Sequence, residues 1–123
     1  MKTICVDFDG VIADYSEGFK GRGVFGAPIL GACVVLNALR DDGWKIIVFT
    51  TRGEVPLLED YLINNNIPFD EINRNSDNPP GTNEGKPIAD VYLDDRALQF
   101  SGDWPRAYYD IINFKPWFER KDA

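Results

Sequence analysis

The pattern that most constrains this chain is a short apolar run that stops abruptly at polar residues, repeated along the sequence. Residues 3–8 carry Ile4, Cys5, Val6 and Phe8 and break at Asp9-Gly10; residues 45–50 read Ile46-Ile47-Val48-Phe49 and stop at Thr50; residues 89–93 stop at Asp94-Asp95. A weaker run covers residues 67–72. Strands that are apolar at successive positions are buried on both faces, and such strands form parallel sheets. Helical periodicity fills the intervals. Ile29, Cys33, Leu36 and Leu39 share one face over residues 29–40, and Asp41-Asp42-Gly43 supplies a glycine-type stop. A second helix has Pro56 in its first turn, turns Leu57, Leu58, Tyr61 and Leu62 inward, and ends at Asn64-Asn65-Asn66. A third takes Asp103 as N-cap and spaces Trp104, Ala107, Tyr108, Ile111 and Ile112 by three and four, as a helix packed on the domain would.

Strands alternating with helices predict an α/β fold, a Rossmann-like parallel sheet with helices on both faces that binds ligands beyond the carboxyl ends of its strands. Residues 14–28, glycine-rich with Tyr15, Phe19 and Phe25 interspersed, suit an irregular flap, and the polar residues 73–85 a loop. No repeat or linker interrupts the chain, so residues 1–123 form one expected domain.

Composition removes whole classes of function. Thirteen basic residues against twenty acidic ones leave a formal charge of −7 with no cluster of Lys and Arg, which argues against extended nucleic-acid binding. The opening residues lack a signal-peptide pattern and no apolar run reaches membrane-spanning length, so a soluble, cytoplasmic protein without membrane partners is expected. Cys5 and Cys33 have no metal-type spacing and read as buried, reduced thiols. There is no histidine, which excludes Ser-His-Asp and Cys-His catalysis and His-ligated zinc.

The chemistry-bearing residues collect at the strand ends: Asp7 and Asp9 after the first strand, Thr50 and Thr51 after the second, Asp94 and Asp95 after the last, with Lys86 just before it. In a parallel sheet these meet at one edge. Four carboxylates brought together repel one another unless a cation joins them, and carboxylate oxygens select a hard ion such as Mg2+.

These segments, in this order, resemble the four motifs of the haloacid dehalogenase (HAD-like) superfamily: Asp7-Phe8-Asp9-Gly10-Val11, Val48-Phe49-Thr50-Thr51-Arg52, Lys86-Pro87, and Val91-Tyr92-Leu93-Asp94-Asp95. The resemblance implies a magnesium-dependent phosphomonoester hydrolase. Asp7, ionised at neutral pH, would be the nucleophile that forms an aspartyl-phosphate. Asp9 would be the general acid and base, and would lend its main-chain carbonyl to the metal. Thr50 and Lys86 would complete the catalytic set by holding the phosphoryl oxygens, Gly10 and Thr51 would line the phosphate site, and one of Asp94 and Asp95, with Asp95 favoured, would complete the metal shell while the other orients waters or Lys86. Residues 11–43 and 52–85, where larger relatives carry a cap domain, are too short for one. The open site suits a phosphorylated small molecule or a phosphorylated terminus, and a neighbouring subunit of a homo-oligomer is one way to cover it. A phosphotransferase or nucleotidase of the same superfamily, a receiver-like phosphoacceptor, and a non-catalytic phosphate-binding module are the competing readings. Arg52 and Arg96 each follow a motif directly and read as substrate contacts or, nearly as well, as surface salt bridges; Trp104, Tyr108, Trp117 and Phe118 read as packing residues.

Overall fold

The computed structural model describes residues 1–120. Residues 121–123 of the expected domain lie outside the described residues. The elements run β1 (Thr3–Asp7), α1 (Ala32–Asp41), β2 (Lys45–Phe49), α2 (Val55–Asn64), β3 (Glu71–Ile72), β4 (Val91–Leu93) and α3 (Trp104–Ile112), followed by a 3-10 turn over Trp117–Glu119. All strand pairs are parallel, in the order β3-β2-β1-β4. The fold is α/β and Rossmann-like, without a cap domain: residues 14–28 form an irregular flap, and no helix or strand lies between β3 and β4.

Two elements are shorter than their sequence pattern predicts, each for a local reason. Helix α1 begins at Ala32 because Gly31 adopts a left-handed conformation (φ 94°), and Ile29 instead donates its amide to the Ile12 carbonyl at 2.8 Å. Strand β3 keeps two of the six expected residues. The Ile67 amide closes α2 by donating to the Leu62 carbonyl at 2.9 Å, and Pro68 has no N–H to give a ladder.

Side-chain alternation divides the sheet into two unlike faces. Ile4, Val6, Ile46 and Val48 pack with Leu36 of α1 and with Leu58 and Leu62 of α2, so both helices cover one face. Cys5 and Ile47 are buried on the other. Contrary to the expectation of helices on both faces, α3 contributes no buried residue, and Lys45 on this second face meets the 73–90 loop, whose Pro87 is fully buried. Lys45, on this second face, reaches Asn75 Oδ1, Asp77 Oδ2 and Glu71 Oε2 at 2.8–2.9 Å, and Asn75 Nδ2 donates to the Ile88 carbonyl. A single lysine thus ties the start of β2 to the loop. Cys5 and Cys33 are both free; the first is buried, the second half-buried.

Helix α3 departs furthest from expectation. Asp103 caps it as predicted, accepting from the Arg106 amide, yet none of its residues is buried, and Trp104, Tyr108 and Ile112 point to solvent. Trp104 touches the ring of Phe100, with centroids 5.2 Å apart. The periodicity of α3 therefore describes a helix, not a helix packed into the core.

Two stability measurements follow from this division. Leu62→Ala should cost about 2–5 kcal/mol in urea unfolding, whereas Trp104→Ala and Ile112→Ala should stay within about 0.5 kcal/mol of wild type; a large loss at Trp104 would mean that α3 is covered in solution. The Glu71 carboxyl is held down to about 2, first by the Ser76 amide and also by Lys45, against the desolvation that opposes it. Its contribution is complete above the ordinary glutamate value and is lost as the pH falls toward 2. Melting temperature should accordingly fall more steeply between pH 4.5 and 2 in wild type than in Glu71→Gln, and parallel curves would refute the assignment.

Candidate active site

The strand register assembles the site. β1 and β4 pair Val6 with Leu93, so the next residues on each strand, Asp7 and Asp94, emerge side by side. β1 and β2 pair Asp7 with Phe49, which places Thr50 one step beyond. Between β1 and β4 the direction of strand addition reverses, and this switch point is where open parallel sheets leave a crevice. A cleft of about 290 Å³ lies there, bordered by Asp7, Asp9, Thr50, Thr51, Asp94 and Asp95 together with Tyr15, Phe49 and Arg96. Six of the eight residues expected at the site therefore border one cleft.

Asp7, Asp94 and Asp95 each bring an oxygen within 4.8 Å of the others. The Asp7 carboxyl is pushed up to about 8, chiefly by burial, then by its hydrogen bond to Asp95 and the charge of Asp94, against the opposing pull of the Phe8 amide, 2.8 Å from Oδ1. Burial and the two neighbouring carboxylates thus favour the neutral form of Asp7 unless positive charge is brought to the cluster. A hard divalent cation among the three oxygens would supply that charge, and the donor set, all carboxylate, fits one. Burial and the Asp7 and Asp94 charges push the Cys5 thiol, beneath the cluster, up to about 11, which favours its neutral form.

Gly10 has a steric part here. Its φ is +86°, and a Cβ on it would lie 2.3 Å from Asp95 Oδ2, so the buried Asp95 carboxylate occupies the space that a side chain would need. The Gly10 amide itself donates to the Ala13 carbonyl at 2.8 Å, closing the turn. The Gly10 carbonyl accepts from Trp117 Nε1 at 2.7 Å, a contact across 107 residues that brings the C-terminal segment to the site. No periodicity or motif in the sequence marks that contact.

Thr50 is held at both ends of its backbone turn. Its amide donates to Asn73 Oδ1 at 2.7 Å, and its hydroxyl oxygen accepts from the Arg52 amide at 3.1 Å, leaving the hydroxyl proton free to donate into the cleft. Thr51 is exposed at the cleft edge. Lys86 is elsewhere: it is exposed, with Nζ 5.1 Å from the centre of the Tyr92 ring, and does not border the cleft. The cation at the cleft is Arg96, whose Nε stands 4.0 Å from Asp95 Oδ2.

Asp9 is in a different setting from Asp7. Both of its oxygens accept from Arg52, from Nε at 2.8 Å and NH2 at 3.0 Å. Arg52 is thus a buried partner of a motif residue, which removes one of the two readings that its sequence position allows, the surface salt bridge. Its place two residues after Thr50 was the available signal; the contact across 43 residues was not legible.

The solved structure of a conserved protein from Bacteroides thetaiotaomicron is similar to this chain, with a TM-score of 0.63 and 27% identity over 94% of this chain and 93% of that one. No protein-family model and no curated protein matches the chain.

Two expectations test the cluster. Millimolar Mg2+ or Mn2+ should raise the melting temperature through preferential binding to the folded state, chelator should reverse the rise, and Asp94→Asn and Asp95→Asn should each reduce it; no shift with either ion would remove the metal assignment. Gly10→Ala should lower stability and abolish the ion-induced shift, because the new Cβ displaces Asp95. A normal shift in that variant would show that Asp95 is dispensable for binding.

Proposed function

We propose that this protein is a magnesium-dependent phosphomonoester hydrolase of the HAD-like type, working through an aspartyl-phosphate on Asp7. The observation that carries the reading is the register that sets Asp7 beside Asp94 at the switch point, with three carboxylate oxygens within 4.8 Å. The order of the motifs agrees with it.

The ion would be held by the carboxylates of Asp7, Asp94 and Asp95, with the Asp9 main-chain carbonyl as the further ligand that the resemblance implies. When bound, it neutralises the cluster and draws charge from the phosphoryl oxygens. In the first displacement an Asp7 oxygen bonds to phosphorus, the bond from phosphorus to the leaving oxygen breaks, and that oxygen takes a proton from Asp9. In the second, a water gives a proton to Asp9 and attacks phosphorus, and the bond to Asp7 breaks to release inorganic phosphate. Thr50 donates its hydroxyl proton to a phosphoryl oxygen. Arg96, at the cleft, is better placed than Lys86 to meet the substrate's negative charge. The uncapped cleft suits a phosphorylated small molecule or an exposed phosphorylated terminus as substrate.

Release of inorganic phosphate from aryl, sugar and nucleotide monophosphates, with Mg2+ and with chelator, tests the reading. Asp7→Asn should retain the fold and lose at least about 1,000-fold in turnover. Full metal-dependent activity in that variant would refute the nucleophile. Asp9→Asn should slow alkyl phosphates far more than activated aryl phosphates, since a good leaving group needs little protonation.

A further inference from the structure

The flap tip, residues 16–24, is tied to the rest of the domain in one place. Among the described residues, every hydrogen bond between the tip and the body of the domain ends on Arg52 or Glu54: Arg52 NH1 donates to the Gly21 carbonyl and NH2 to the Val24 carbonyl, each at 3.1 Å, and the Gly23 amide donates to Glu54 Oε2 at 2.6 Å. The other bonds of the tip are local, to Asp14 and Tyr15 at its base or within itself. The base is fixed separately. Phe25 packs edge-on against Phe8 and Tyr61, and the Tyr61 hydroxyl donates to the Gly26 carbonyl.

Arg52 itself is nearly fully buried, with 4% of its side chain exposed, and a buried guanidinium is tolerable only when its donors are satisfied. All five N–H groups have acceptors: two on Asp9, one on Glu54, one each on the Gly21 and Val24 carbonyls. The rings of Phe19 and Phe25 lie 5.0 and 4.8 Å from its Cζ. Two of the five acceptors and the Phe19 ring belong to the tip. Lifting the tip therefore strips Arg52 of acceptors, and moving Asp9 out of the fork leaves the guanidinium that holds the tip unbalanced.

We propose that Arg52 and Glu54 latch the flap tip, and that Arg52 is a positioning residue through which tip closure fixes the Asp9 carboxylate. The second half rests on the phosphatase reading above; the latch does not. Asp9 in the fork accepts two N–H bonds and has no proton to give. To serve the leaving oxygen, one carboxyl oxygen must leave Arg52 and take up a proton from water, while the other stays in the fork and holds the group in position. Release of Asp9 and loosening of the tip are then parts of one movement, set off when a substrate enters the cleft that Tyr15, at the base of the flap, borders. Lysine cannot substitute for this role, since an ammonium has three donors and no fork.

The test uses the full chain. Lys20 and Arg22 lie in the tip, so tryptic cleavage after them reports how often it opens. Arg52→Gln should raise cleavage at these two bonds about tenfold or more, and Phe19→Ala, which removes a largely exposed ring, by a smaller factor. In turnover of alkyl phosphates Arg52→Gln should lower kcat at least about tenfold with KM within about threefold, and Arg52→Lys should resemble Arg52→Gln more than wild type. Unchanged cleavage in Arg52→Gln overturns the latch. If that variant does not fold, unchanged cleavage in Phe19→Ala overturns it instead. A freed tip with wild-type kcat overturns the positioning role. If the wild type hydrolyses no phosphate ester, the positioning role falls with the phosphatase reading, and proteolysis alone decides the latch.

Discussion

The ladder between β1 and β4 is the contact on which the site depends. It consists of three residue pairs, and β4 is an edge strand whose residues Val91, Tyr92 and Leu93 all remain exposed. So short a strand has little burial of its own to hold it, and reciprocal bonds support its start: the Asp90 amide donates to the Thr3 carbonyl, and the Thr3 amide donates back to Asp90 Oδ2. A slip of one residue would turn Asp94 to the opposite face and dissolve the cluster. The loop before β4 shares the task. Lys45 binds Asn75 and Asp77 in that loop, so a lysine at the start of β2 helps to set the position of an acidic pair about twenty residues further along the loop and strand.

The central strands and the position of the site were legible because both depend on short-range pattern. Ile4-Cys5-Val6 and Ile46-Ile47-Val48 can be buried on both sides only in a parallel sheet, and the polar residue that ends each run is necessarily at a carboxyl end. Where a single backbone detail overrode the pattern, the reading failed. Gly31 in the left-handed region delayed α1, and Pro68 withheld a donor from β3. The stripe of Trp104, Tyr108 and Ile112 is identical in a packed and an unpacked helix, so sequence could locate α3 but not its surroundings. The same limit applied to side-chain partners. Arg52 and Asp9 are 43 residues apart and Trp117 and Gly10 107 apart, and no periodicity encodes such meetings. Lys86 shows the converse, a residue of the right type in the right order that the loop carries to the Tyr92 ring.

Asp7 and Asp9 are separated by one residue and would share a face if the strand continued. It does not: β1 ends at Asp7, and the chain turns at Gly10, so the two carboxyls enter opposite electrostatic surroundings. Asp7 faces two more carboxylates and is short of positive charge; Asp9 faces a guanidinium that both its oxygens already engage. A divalent ion would therefore favour the first carboxylate and have little to gain at the second. In the proposed reaction, the group short of positive charge is the one whose oxygen would be directed at phosphorus, and the group already paired is the one that would carry the proton. Environments pushed apart in this way are how two chemically identical side chains acquire different tasks. Here the division originates in where β1 stops, and Gly10 leaves room for Asp95 in the turn beyond it, because a residue with a side chain there would collide with that carboxylate.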